Sequence, residues 1–214
     1  MINKKKKSEK RSKPEIKIEK IEKSFFYRNL SASWDYIKES RNYILSAIEL
    51  FLLFCIIGLL IEPPKEFLDY LREFLKTLVD RTSGLNALQL IGFIFNNNIF
   101  ASFVGLFVGV ILGIFPILSA CFNGYVLGYI SQLSIQNGEA ISLWKIFPHG
   151  IFELPAVFIS LGLGIKLGMF IFSKDAGKEF LRRLKLSIKT FLFVVLPLLI
   201  IAAIIEGILI RFLV

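Results

Sequence analysis

The stretch that decides the fold is residues 99–135, IFASFVGLFVGVILGIFPILSACFNGYVLGYISQLSI, which contains no charged residue. A bilayer hydrocarbon core about 30 Å thick needs about 20 apolar residues per helix, so this run is too long for one crossing. Pro116 lies near its middle, and proline breaks a helix interior. We expect two antiparallel spans, at 99–115 and 117–135. A single kinked helix with a re-entrant piece is the alternative.

Three further apolar runs flank this stretch, and each is long enough for one helix. Ser46 and Glu49 alone interrupt the first run near one end, and the last run carries only Glu206 and Arg211. With 55% hydrophobic residues in 214, the chain has no room for a sizeable soluble domain. We predict an all-α polytopic transmembrane helix bundle over residues 42–212. Its five spans are 42–61, 99–115, 117–135, 148–170 and 190–211.

The distribution of Lys and Arg predicts the orientation. Residues 1–41 hold thirteen of them against six acids, and residues 166–189 hold seven. A hairpin at 99–135 places both segments on one side, with twenty Lys and Arg there and six on the other. The positive-inside rule then predicts a cytoplasmic N-terminus and an extracellular C-terminus in the cell membrane. The net charge of +9 is not accompanied by a nucleic-acid motif, so we expect no nucleic-acid partner.

Two segments outside the spans have their own character. We expect residues 1–24 to form a basic, disordered cytoplasmic tail that is attracted to anionic lipid headgroups. Residues 25–41 mix aromatic and charged residues and predict an interfacial helix. After Pro63 and Pro64, an apolar stripe with charges on the opposite face predicts an amphipathic interfacial helix between spans one and two. The stripe contains Phe67, Leu68, Leu71, Phe74, Leu75, Leu78 and Val79.

Small residues recur every four positions in three of the predicted spans. This spacing lets helix backbones approach closely, which replaces the hydrophobic drive that lipid removes. It predicts packing within one chain, a homodimer seam or a ligand groove. The residues are Ala101, Gly105, Gly109 and Gly113 in span two, Ala120, Gly124 and Gly128 in span three, and Gly164 and Gly168 in span four.

A set of polar residues lies near the predicted outer ends of the spans. His149 and Glu153 are four positions apart and share a helix face after the helix start at Pro148. An unpaired carboxylate is costly in hydrocarbon, so we expect these residues to share one pocket with Glu206. The alternatives for this pocket are a structural hydrogen-bonded network and a binding or transport site. Asn96, Asn97 and Asn98 open span two at the same level, whereas Asn123 lies nearer the cytoplasmic end of span three.

Motifs for catalysis are incomplete. The sole histidine has no H-E-x-x-H context and no nucleophile motif beside it, and no ATP-binding loop is present. We therefore assign no catalytic residue, metal ligand or cofactor. One His and two Glu could still bind Zn²⁺, which leaves a metal-dependent enzyme as an open hypothesis. Glu49 and Lys166 lie near the cytoplasmic ends of their spans, where we expect their side chains to reach toward the interface.

One block of sequence resembles a known family. Residues 148–156, PHGIFELPA, and residues 162–168, GLGIKLG, resemble the signature of the stage II sporulation protein M family. Asn97-Asn98, Asn123-Gly124 and the segment AIIE at 203–206 also fit it. The resemblance covers about residues 40–212. It implies a polytopic membrane protein, and the family's bacterial namesake anchors cell-wall hydrolases during engulfment. Many relatives, archaeal ones included, come from organisms that form no spores.

Three functions remain open from the sequence. The first is a non-enzymatic membrane scaffold or assembly factor. Its possible partners are a second copy of the chain and other membrane proteins. The second is a small transporter or permease subunit that uses the polar cluster. The third is an intramembrane metal-dependent enzyme. The scaffold is favoured because the family resemblance points to it and no catalytic motif is complete, although fold alone does not decide function.

Overall fold

The computed structural model describes residues 14–138 and 147–213, and every regular element in them is helical. Five of the helices are long and apolar enough to cross a membrane, which confirms the predicted all-α bundle of five spans. The first thirteen residues of the predicted disordered tail lie outside the described part. The helices are α1 (Pro14–Glu39), α2 (Arg41–Leu60), α3 (Lys65–Thr82), α4 (Ala87–Phe107), α5 (Ile114–Gln136), α6 (Phe147–Gly168), α7 (Ala176–Thr190) and α8 (Leu196–Leu213).

The long uncharged run folds as two helices, but the break precedes Pro116. A short 3₁₀ turn, Val108–Val110, ends α4, and the chain then reverses through Leu112 and Gly113, with φ of 54° and 68°. Glycine adopts this left-handed conformation without steric cost. Pro116 is instead the third residue of α5, where its missing N–H removes no helical hydrogen bond. The predicted break at residue 116 is therefore corrected to residues 108–113.

The second span begins earlier than the sequence suggested. Asn86 forms a capping box with Gln89: its side chain accepts a hydrogen bond from the Gln89 N–H, and its own N–H donates to Gln89 Oε1, each at 3.0 Å. The helix therefore starts at Ala87 rather than at residue 99, and the candidate span is Leu88–Val110. This corrects the prediction that Asn96, Asn97 and Asn98 open the span, because they lie in the interior of α4.

The fifth span continues from a basic amphipathic helix. α7 runs without a break through a π-turn, Phe191–Val195, into α8. The π-turn ends two residues before Pro197, whose ring would clash in a regular helix with the carbonyl oxygen four residues earlier. The wider turn accommodates the proline while the span stays continuous.

Helix α6 lies at the centre of the bundle. It packs against α2, α4 and α8, while α2 packs along α5. One buried cluster joins Leu106 of α4, Leu163 of α6 and Val195 of the π-turn, and a second joins Ala47 of α2 and Ala120 of α5 to α6. The four-crossing path from α2 to α6 returns the chain to the end where it entered.

The amphipathic helices lie around this core. α3 confirms the predicted helix between spans one and two; its Leu71 is buried, and its Phe67 ring contacts the rings of Phe122 and Tyr125 on α5. α1 extends the predicted helix at 25–41 back to Pro14, so the last part of the predicted disordered tail is helical. α1 packs against α7, which places the N-terminal flank and the basic segment at 166–189 at the same end of the bundle.

Candidate functional site

Two glycine-lined seams hold the spans together. In the α4–α6 seam, a Cβ at Gly109 would overlap the Gly164 backbone, and one at Gly168 would overlap the backbones of Gly109 and Gly113. In the α2–α5 seam, a Cβ at Gly124 would overlap the Phe51 backbone, and one at Gly128 would overlap that of Cys55. Backbones in contact leave no room for any side chain, which is the geometry that small-residue spacing produces.

The remaining members of the small-residue pattern differ in environment. A Cβ at Gly105 would fall 2.8 Å from a methyl group of Leu161 on α6, and Ala120 is fully buried between α2 and α6. Ala101 is exposed and does not belong to the seam. Gly58 and Gly162, which the four-residue repeat does not include, also sit against backbone of a neighbouring helix. The glycine contacts are therefore made within one chain.

A polar pair links two of the spans. Asn98 of α4 lies beside the Glu153 side chain on α6, and both residues are partly buried. The two helices run in the same direction there, because Gly105 and Gly109 meet Leu161 and Gly164 further along. The pair can hold α4 and α6 in register or accept a proton or cation.

The other members of the predicted pocket are separate from this pair or undescribed. Asn96 and Asn97 are exposed, and Asn123 donates to the carbonyl oxygen of Ser119 on its own helix at 2.8 Å. The backbones of His149 and Glu206 lie in α6 and α8, but their side chains are outside the described part. Their place in a shared pocket stays a prediction. Among the described residues, no group of three or more His, Cys, Asp or Glu could hold a metal ion.

A second polar group, which the sequence did not single out, lies where α1, α6 and α7 meet. The Lys166 side chain on α6 is 4% exposed, and its Nζ lies 2.9 Å from Glu39 Oε1 at the end of α1. It also donates to Ser40 Oγ at 3.0 Å and lies 4.3 Å from the centre of the Tyr36 ring. Arg182 of α7 binds the same Glu39 carboxylate through both terminal nitrogens, at 2.7 and 3.2 Å.

The group extends along α7. Arg182 and Arg183 both donate to Glu179, each at 2.8 Å at the closest. Arg183 also bonds the carbonyl oxygen of Lys166 and, at 3.2 Å, Ser173 Oγ. Each charged side chain thus has opposite charge or backbone as its partner, which compensates for its removal from water. We call Glu39, Lys166, Glu179, Arg182 and Arg183 the ion-pair group.

Burial and charge shift the protonation of the α1 residues that contact the group. The hydrogen bonds from Arg182, and then those from Lys166, lower the Glu39 pKa to about 2. Burial raises the pKa of Tyr36 to about 12, so its hydroxyl stays protonated. Both shifts favour a permanent tie between α1 and the bundle. The expectation that Lys166 extends toward water is thus corrected: a buried ion pair satisfies its charge. The signal in the sequence was a lysine inside an apolar run, but Glu39 lies 127 residues before it in the chain, and Arg183, which bonds its carbonyl oxygen, lies 17 residues after it.

Comparison with known proteins identifies the family. The family model described as stage II sporulation protein M matches residues 47–209, which is more than half of the chain. The chain belongs to the stage II sporulation protein M family. The match confirms the resemblance carried by residues 148–156 and 162–168, and the family match together with the five apolar helices makes it a membrane protein.

Part of this chain is also similar to a known archaeal protein. An uncharacterized protein of Methanocaldococcus jannaschii is 32% identical over 103 residues, which cover 45% of this chain and 46% of the relative. The chain thus matches less than half the length of that relative. No solved structure matches the chain.

Proposed function

We propose that the protein is a non-enzymatic membrane scaffold that holds partner proteins at the bilayer. The observation that carries this proposal is the pair of glycine-lined seams, α2–α5 and α4–α6, in which backbone touches backbone. Packed interiors have discrete arrangements and do not deform continuously. Helices that touch backbone to backbone therefore favour one fixed arrangement over the alternating opening of a transporter.

The placement of charge supports the same function. The ion-pair group ties α1 to α6 and α7, so its charges are used for assembly of the bundle itself. α3 instead presents exposed charges of both signs, including Asp69, Arg72 and Glu73. Mixed exposed charge on an amphipathic helix suits recognition of a polar protein surface. The role implied by the family resemblance, anchoring of other proteins, agrees with this surface.

Site-specific photo-crosslinking in the native membrane can test the scaffold. A photoreactive residue at Arg72 on α3 should form adducts with proteins, while one at Leu53 should label lipid only, because Leu53 is an exposed apolar residue in the middle of α2. With the photoreactive residue placed at Lys76 instead, the charge-reversed variant Arg72→Glu should give fewer protein adducts than the same probe beside the native Arg72. Equal labelling of lipid from Arg72 and Leu53 would contradict a scaffold that uses α3.

A transporter or permease subunit is the second candidate, and one observation favours it. The hydroxyl groups of Ser102 and Ser160 are buried and, within the described residues, make no hydrogen bond. Ser102 lies one helical turn inward of Asn98, and Ser160 two turns inward of Glu153. Polar groups would thus continue from the Asn98–Glu153 pair into the α4–α6 core, where a conducted proton or ion needs them.

Proton flux into liposomes separates the two candidates. The purified protein, reconstituted with an internal pH dye, is given a membrane potential through potassium and valinomycin. A scaffold gives the same flux for wild type, Glu153→Gln and the exposed α3 control Glu73→Gln. Flux above protein-free liposomes that only Glu153→Gln abolishes, with unchanged thermal stability, would establish the transporter and overturn the scaffold. The metal-dependent enzyme needs His149 and Glu206 and stays a prediction.

A further inference from the structure

Over residues 24–39, helix α1 has one face that is buried against the bundle and two faces that are largely exposed. Asn29, Ser33, Tyr36 and Ser40 are buried at spacings of four, three and four residues, which form one stripe on a helix. Asn29, Ser33 and Ser40 donate to carbonyl oxygens one turn earlier, at 2.9, 2.8 and 2.6 Å. The stripe is therefore buried without unpaired side-chain groups.

The second face is apolar and exposed. Phe26, Leu30 and Trp34 follow one another at four-residue intervals and are 55%, 38% and 55% exposed, and Tyr27 beside them is 74% exposed. The third face carries the exposed charges of Arg28 and Asp35, which are seven residues apart, and Lys38 lies at its border with the apolar face, four residues after Trp34. A contiguous aromatic face of this kind is unusual on a water-facing helix and marks a surface that binds something.

The position of α1 indicates what lies against this apolar face. The Phe26 ring lies 5.6 Å from that of Phe193, in the π-turn near the start of the fifth span, and Leu192 beside it is exposed as a lipid-facing residue would be. At its other end α1 is held by Glu39 to Lys166, near the end of the fourth span. Both attachments lie where spans enter the bilayer, so α1 runs along the boundary between membrane and water.

Charge at this end of the bundle selects the lipid. Residues 24–41 and 173–190, which include the later part of α1 and all of α7, hold nine Lys and Arg against four acids. Basic residues next to a bilayer attract anionic lipid headgroups. Aromatic side chains with a polar atom, such as Trp34 and Tyr27, favour the headgroup level.

We propose that α1 is a membrane-surface helix that inserts Phe26, Leu30 and Trp34 between the lipids of the adjoining leaflet. The basic residues of α1 and α7 then bind anionic phospholipids in that leaflet. The ion-pair group fixes the rotation of α1 so that its apolar face meets lipid while Asp35 meets water. The proposal goes beyond the scaffold function and does not depend on it, because lipid binding by α1 needs no protein partner.

Fluorescence of a single tryptophan tests the proposal on the whole chain. The sequence contains two Trp residues, so Trp144→Phe leaves Trp34 as the sole one. In reconstituted liposomes, lipids brominated near the glycerol end of the acyl chain should quench Trp34 more than lipids brominated near the methyl end. At equal mole fraction, brominated phosphatidylglycerol should quench more than brominated phosphatidylcholine.

A matched control moves the tryptophan by one residue. In the Trp144→Phe background, the double substitution Trp34→Phe and Asp35→Trp places the indole on the charged face, where aqueous acrylamide should quench it and brominated lipid should not. Acrylamide quenching of Trp34 itself would overturn the proposal in favour of a water-exposed face. Protection from both quenchers would overturn it in favour of a covering protein, such as a second copy. Equal quenching by the two headgroup classes would overturn the preference for anionic lipid.

Discussion

Lys166 Nζ lies 2.9 Å from Glu39 Oε1, although three membrane-spanning helices and most of a fourth lie between the two residues in the chain. The lysine is almost completely buried, whereas Glu39 is nearly half exposed and also binds Arg182. A residue before the first span and one near the end of the fourth therefore form one ion pair. That pair is possible only if both lie at the same end of the bundle.

Loss of the Glu39 charge should destabilise the bundle. Glu39→Gln leaves the buried Lys166 ammonium without its carboxylate partner, and removing one partner of a buried pair costs about 3–5 kcal/mol. We expect about 3 kcal/mol here, because Glu39 is partly exposed and water screens it. The measurement is thermal unfolding in detergent or nanodiscs. Asp35→Asn, which breaks the exposed Asp35–Lys38 pair, should change little and serves as control.

A double variant distinguishes charge from packing. Lys166→Met keeps most of the side-chain volume and removes the buried charge, so Glu39→Gln together with Lys166→Met should regain most of the stability lost by Glu39→Gln alone. A double variant that is less stable than Glu39→Gln would show that Lys166 acts in some other way than as the partner of Glu39.

The same ion pair predicts a pH dependence. The Glu39 pKa falls from its ordinary value of 4.5 to about 2 in the folded protein, chiefly through hydrogen bonds from Arg182. A carboxylate whose pKa is lower in the folded state than in the unfolded state stabilises the folded protein. That stabilisation is fully present above the unfolded-state pKa and is lost as the pH falls through the folded-state pKa. The difference in unfolding temperature between wild type and Glu39→Gln should be constant above about pH 4.5 and vanish near pH 2. A difference that persists unchanged at pH 2 would contradict the ion pair.

Glycine substitutions should have opposite signs at two positions. Gly128→Ala puts a methyl group into the Cys55 backbone, 2.8 Å from its carbonyl carbon, and overpacking costs about 1–3 kcal/mol. Gly92→Ala meets no atom within 4 Å and replaces glycine in a helix interior, so it should stabilise by up to about 1 kcal/mol. Thermal unfolding of the two variants measures the contrast. Equal effects would place Gly128 away from a helix seam.

Orientation can be tested by cysteine labelling. After replacement of Cys55 and Cys121, Lys178→Cys on α7 and Arg72→Cys on α3 provide exposed probes at opposite ends of the helix bundle. We expect a membrane-impermeant reagent to label the α3 site from outside intact cells, and the α7 site only after the cells are opened, because Lys and Arg are concentrated around α7 and the N-terminus. The reverse labelling pattern would invert the topology, and labelling of both sites from one side would refute five spans.

The sequence predicted the number of membrane-spanning helices better than it predicted where those helices begin and end. The lengths of the apolar runs and the placement of Lys and Arg together predicted five spans, because hydrocarbon thickness fixes the number of apolar residues per crossing and the positive-inside rule favours the hairpin at 99–135. The turn between α4 and α5 was misplaced because Pro116 is compatible with both a break and a helix start. The structure uses Gly113, one of several glycines in the run, at positive φ. The cap at Asn86 was missed because the second span was predicted to begin at residue 99, twelve residues after the first residue of α4.

The sites were predictable only in part. Helical spacing and the cost of a buried carboxylate pointed to Glu153 and the asparagines, and the structure brings Asn98 to Glu153. The repeat of small residues indicated close packing, but not which helices meet. The ion-pair group was missed, because ion pairs between α1, α6 and α7 depend on side chains from distant parts of the chain.

The sequence by itself determined the class of protein, the number of spans and the family, because each depends on local quantities: the length of an apolar run, the placement of Lys and Arg, and the block at residues 148–156. The tertiary structure decided the partners of each helix, including Gly128 against Cys55 and Lys166 against Glu39. Lipid surrounds every apolar helix equally, so hydrophobicity cannot choose between neighbours. Close backbone contact and compensation of buried charge make that choice, and both exist only once the helices are side by side.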